Sequence, residues 1–139
     1  LDPVNASVLQ DGIEMRRENG AAIICSSHDM GNVEAIADHL VMLKNGQVVL
    51  SGTVDAIRQS FGRTKLFIES PLTQVELAAF AGVQQVVAHG REYELTLATP
   101  EAGEAIFAAA TANGYIPEFR RAPPTLDEIF RMKAGAQHA

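Results

Sequence analysis

A single cysteine among 139 residues rules out a disulfide framework and any zinc site built from cysteines. Basic residues are also scarce: 11 Lys and Arg stand against 17 Asp and Glu, for a net charge of −6 and a pI near 5.1. Phosphate backbones are held by clustered Lys and Arg, so this balance argues against a nucleic-acid binder. No apolar run approaches the ~20 residues that span a bilayer, Leu40 to Leu43 being typical, and no cleavable signal pattern opens the chain. Direct membrane insertion is therefore not expected, and a membrane matters only through a partner. An initiator Met is missing too, and Leu1-Asp2-Pro3-Val4-Asn5 leads straight into the first element, which reads as a piece of something longer. What is present is ordinary. Hydrophobic residues are 47% and charged residues 20%, close to the average of folded soluble proteins, and the length fits one domain or two very small ones.

Helical spacing of Val8, Leu9, Ile13 and Met15, with Asn5 or Asp2 as cap and Asn19-Gly20 as stop, predicts a helix over residues 6–18. Ala21 to Ser26 is apolar on both faces and β-branched at its centre, the pattern of a strand buried from both sides in a parallel sheet. Such a strand needs neighbours. With none upstream in this sequence, residues 1–50 are expected to reorganise, swap between chains or order poorly. A helix follows over 30–37. Residues 39–43 and 47–51 then flank Lys44-Asn45-Gly46, where Asn-Gly signals a hairpin. A short helix over 54–60 precedes a boundary at residues 61–64.

Past the boundary the order changes. Strands are expected at 65–69, 83–88, 92–97 and 115–120, with helices over 71–80 and 100–112, and a last helix over 126–133 after Pro123-Pro124-Thr125. The order βαββαβ plus a terminal helix is that of a ferredoxin-like unit. Charge does not separate the halves, since residues 1–62 carry 4 basic and 8 acidic residues and residues 63–139 carry 7 and 9.

The most informative position is His28, which directly follows the run Ile23-Ile24-Cys25-Ser26-Ser27. Ligands of parallel α/β sheets sit just beyond the carboxyl ends of the strands. An imidazole there can donate to a phosphate oxygen or orient a water, and it can equally well cap the next helix.

Three stretches, in this order and spacing, extend that observation: Leu1-Asp2-Pro3, Ser26-Ser27-His28-Asp29, and Ala37-Asp38-His39-Leu40-Val41-Met42-Leu43-Lys44-Asn45-Gly46-Gln47-Val48-Val49-Leu50-Ser51-Gly52. Together they resemble the last third of an ABC-transporter ATP-binding subunit. The likeness is to the ABC-2 exporter type, which carries a C-terminal appendix, and Pro124-Thr125-Leu126-Asp127-Glu128-Ile129-Phe130 is similar to how those appendices close. The resemblance implies an α/β fold in two parts. Residues 1–62 would be the tail of a P-loop NTPase domain, and residues 63–139 an α+β ferredoxin-like accessory domain. It also implies roles: Asp2 as the D-loop residue that crosses a dimer interface toward the partner's nucleotide, and His28 as the H-loop histidine that contacts the γ-phosphate and helps place the attacking water. ATP and Mg²⁺ are the implied ligands of the parent. Its implied partners are a membrane permease subunit and a second ATPase subunit, as a homodimer, at the cytoplasmic face of the cell membrane. Positioning and charge stabilisation carry phosphoryl transfer, which suits such roles.

The departures matter as much. No Gly-x-x-x-x-Gly-Lys-Ser/Thr loop, no Leu-Ser-Gly-Gly signature and no Walker B carboxylates occur in these 139 residues. This chain alone is expected neither to bind ATP tightly nor to hydrolyse it. The remaining candidates read as structural. Cys25 lacks an adjacent cation and reads as an inert buried thiol; His39, His89 and His138 lack metal-ligand spacing; Glu92 and Glu94 read as solvated charges. Arg120-Arg121 near Glu118 fits an edge strand blunted by charge better than an anion site. Two other functions stay open for the second half, a ligand-sensing regulatory module and a dimerisation domain.

Overall fold

The computed structural model of the chain describes residues 3–24, 26–27 and 29–135, with side chains from Asp11 onward. In chain order the elements are α1 (Pro3–Glu18), α2 (Met30–Ile36), β1 (His39–Lys44), β2 (Gln47–Thr53), α3 (Val54–Ser60), β3 (Lys65–Glu69), α4 (Gln74–Ala78), β4 (Val83–His89), β5 (Glu92–Leu97), α5 (Ala102–Ala110), β6 (Glu118–Ala122) and α6 (Leu126–Gly135). The class is mixed α/β with two sheets. The chain divides into two compact units, Leu1–Ile57 with Thr125–Ala139, and Arg58–Pro124.

In the first unit, α1 ends on Arg16-Arg17, cations at the negative end of the helix dipole. Arg17 pairs with Glu14 of its own helix and reaches out of it to Asp38, at 2.7 Å each. β1 and β2 pair antiparallel through Asn45 (φ 53°) and Gly46 (φ 76°), both left-handed as a two-residue type I′ turn demands. α6 packs on α2. Its first amide, Leu126 N, donates to Glu34 Oε1 at 2.5 Å, and its last turn receives Lys44 Nζ on Lys133 O (2.6 Å) and Ala134 O (3.2 Å). A carboxylate at the start and an ammonium at the end satisfy groups that a helix leaves unpaired.

The second unit has the element order βαββαβ, and its sheet runs β4-β5-β3-β6 with every neighbour antiparallel. Period-2 alternation sends Leu66 and Ile68 to one face, where Leu77 of α4, Leu95 and Leu97 of β5, and Ile106 and Ala110 of α5 complete a buried cluster. Gly82 (φ +86°) turns the chain into β4 where a Cβ would meet Ala102 Cβ at 2.9 Å, so both conformation and space demand glycine.

Two sequence expectations need correction. Residues 21–24 and 26 are not a strand, and Ile24 is 99% exposed. A strand built for burial on both faces requires flanking strands, and among the described residues the strands all pair within the hairpin or the four-stranded sheet. The last strand is β6 at Glu118–Ala122 rather than 115–120, because β3 offers partners only from Lys65 to Glu69 and Pro117 has no N–H to donate. The final helix packs on α2 of the first unit.

Candidate functional site

Asp2 and His28, the two residues singled out from the sequence, lie outside the described residues, as do Cys25 and His138. The flanks of position 28 are described. Asp29 N donates to Ser27 Oγ at 3.0 Å across that position. Asp29 then caps α2, its Oδ1 accepting from Asn32 N at 3.3 Å and its Oδ2 from Asn32 Nδ2 at 3.2 Å. Asp29 thus begins a capped helix, and that helix is held by the bond between Glu34 and α6.

The most developed polar network is on the open face of the second unit's sheet. Lys65 is 6% exposed, and its Nζ donates to Glu94 Oε2 at 2.9 Å and to Thr96 Oγ1 at 3.1 Å. His89 Nε2 lies 3.6 Å from the other oxygen of Glu94. Along the same row Arg120 stacks over the Phe67 ring at 4.0 Å and pairs with Glu118 at 3.4 Å. Glu94 is therefore not the solvated charge its strand pattern suggests. Its missing partner was Lys65, which the alternation that buries Leu66 and Ile68 places on the opposite face, and only the β3–β5 pairing shows that Glu94 stands diagonal to it. Arg120 and Arg121 lie on the edge strand, as their charge pattern suggested.

On the same face Glu92 is half-buried and its Oε1 has no hydrogen-bond partner among the described residues, so it too is not the solvated charge its strand pattern suggests. The more open groove of the unit, about 470 Å³, is lined by Phe107, Tyr115, Pro117 and Phe119, among others, and offers little beyond apolar surface. His39 is exposed on β1. No group of three His, Cys, Asp or Glu among the described residues could hold a metal ion. No helix of the chain is long and apolar enough to cross a membrane among the described residues.

Comparison with known proteins defines the class. An uncharacterized ABC transporter ATP-binding protein of Alkalihalophilus pseudofirmus is 32% identical over 139 residues, all of this chain and 52% of the relative. The ABC transporter ATP-binding protein YhaQ of Bacillus subtilis is 32% identical over 136 residues, 98% of this chain and 46% of the relative. The human phospholipid-transporting ATPase ABCA3 is similar over a shorter stretch, 36% identical over 62 residues, 45% of this chain and 4% of that protein. The chain thus spans about half the length of the two full-length matches. It belongs to the family of DrrA1-3-like ATP-binding proteins, whose C-terminal domain matches residues 52–134.

Proposed function

We propose that this chain is the C-terminal portion of the ATP-binding subunit of an ABC-2-type exporter, in which ATP hydrolysis drives a separate membrane permease. The observation that carries the reading is the end-to-end match of the chain to about half of two ABC transporter ATP-binding proteins. Residues 1–62 are read as the tail of the ATPase domain. Asp2 acts there at the interface with a second, identical ATPase subunit, and His28 holds the γ-phosphate and the attacking water. Residues 63–139 are read as the accessory domain, ferredoxin-like on the strength of its strand order. The exposed run at Ile23 and Ile24 supports the first assignment, since a segment patterned for the middle of a parallel sheet stands unpaired among the described residues.

ATP with Mg²⁺ is the substrate of the parent, and the cation neutralises charge on the phosphates. With no phosphate-binding loop in the sequence, this chain does not hold the nucleotide by itself. Isothermal titration of the 139 residues with ATP and Mg²⁺ is expected to show no binding at micromolar nucleotide. Micromolar affinity would overturn the reading. In the longer parent, His28→Ala should lower turnover and leave nucleotide affinity nearly intact; unchanged turnover would remove His28 from its assigned role.

A further inference from the structure

The two edges of the second unit's sheet are built differently. At the β6 edge, Arg63 Nη1 donates to Arg121 O at 2.9 Å, and Arg58 reaches Pro124 O at 3.0 Å and Pro123 O at 3.5 Å. The two prolines have no N–H to offer, and Glu118, Arg120 and Arg121 charge the strand itself. Charge, proline and occupied carbonyls are the devices that keep a sheet edge from recruiting another strand. The β4 edge has almost none of them. Val83-Gln84-Gln85-Val86-Val87-Ala88-His89 is seven residues without Pro, Lys, Arg, Asp or Glu, and Gln84, Gln85, Ala88 and His89 are exposed. Only a register irregularity at Gln84 and a 3.4 Å bond from the exposed Gln74 Nε2 to Val86 O interrupt it.

We propose that β4 pairs with β4 of a second copy of this chain, antiparallel about a two-fold axis at Val87. The two-residue turn Gly90-Arg91 makes His89 and Glu92 a hydrogen-bonded pair, so alternation turns the backbone groups of Val86 and Ala88 outward. The bond from Gln74 to Val86 O agrees with that orientation. The irregularity at Gln84 confines regular pairing to residues 85–89, whose midpoint is Val87. Each copy's Val86 then exchanges hydrogen bonds with the other's Ala88, displacing the Gln74 amide. On the open face Val87 meets Val87 and Gln85 meets His89, so every cross-strand pair is neutral and self-complementary, as a two-fold contact requires. The same operation at β6 would set arginine against arginine. The contact is independent of nucleotide and lies in the second unit, so it goes beyond the ATPase dimer proposed above.

Sedimentation velocity on the whole chain across micromolar to millimolar concentration is expected to show a monomer–dimer equilibrium. The double substitution Gln85→Lys/His89→Lys, at two exposed positions, sets cations opposite each other twice and should weaken the dimer about tenfold or more. Gln85→Glu/His89→Lys sets opposite charges there and should restore it. In the unsubstituted chain, amide exchange at Val86 and Ala88 should slow as concentration rises, a readout that does not depend on how the variants fold. A monomer throughout would overturn the proposal, as would a Gln85→Lys/His89→Lys chain that dimerises normally, the result expected if association ran through the exposed Val41, Leu43 and Val48 of the hairpin. Failure of the opposite-charge pair to restore dimerisation would overturn the register.

Discussion

Removing Lys65 tests whether the ion pair on the sheet face is a coupled unit. Its side chain is 7% exposed and that of Glu94 27%, so the pair lies between two regimes. An exposed pair is worth about 0–1 kcal/mol, whereas breaking a fully buried one by deleting a partner costs about 3–5 kcal/mol. Lys65→Met keeps the apolar stem and leaves Glu94, which water still reaches, at a cost of about 1.5 kcal/mol. Glu94→Leu takes the counter-ion from the more deeply buried ammonium and costs more, about 2.5 kcal/mol. The double substitution Lys65→Met/Glu94→Leu leaves no charge to compensate, and its cost falls to about 1 kcal/mol, a coupling of about 3 kcal/mol. Urea unfolding followed by circular dichroism, with an unchanged dependence on denaturant, reads these differences. If the double variant loses the sum of the two single losses, the residues act independently and the network is an arrangement of neighbours without energetic coupling.

Gly82→Ala should destabilise the second unit by about 2 kcal/mol or more, because φ is +86° and the new Cβ would sit 2.9 Å from Ala102 Cβ. Thermal unfolding reads the loss, and a neutral result would show that the turn relaxes freely. Leu66→Ala, at a fully buried position in the cluster with Leu77 and Ile106, should cost about 2–5 kcal/mol. Val75→Ala, at a position 81% exposed, should be within about 0.5 kcal/mol of neutral. Equal losses at the two positions would contradict the assignment of the core.

Local signals carried much of the fold. Asn45-Gly46 marked the hairpin turn because only residues tolerant of positive φ form it. The alternation from Glu92 to Leu97 marked β5, and Thr73 and Asp29 appear as caps where the helices α4 and α2 begin. Signals that depend on distant partners misled. Ile23-Ile24 has the composition of a central strand, but composition supplies no neighbour to pair with. Tyr115-Ile116 is strand-like in residue type, yet the reach of β3 decided where β6 starts. Lys65 was invisible as a functional or structural partner because its relation to Glu94 crosses 29 residues and exists only once the strands are paired. Of the candidate site, the sequence motif supplied Asp2 and His28, and the described geometry contributes the capped turn that flanks position 28.

The return of α6 to α2 gives the chain a nested topology. The second unit is inserted between Ile57 and Thr125 of the first, so two covalent crossings join them where a simple appendix has one. Cutting the chain after Pro124 would therefore not trim an accessory tail. It would take away the amide that Glu34 accepts and the carbonyls that Lys44 caps, and the damage would be felt by α2, the helix that Asp29 caps. The contacts of α6 thus tie the last described residues of the sequence to its beginning.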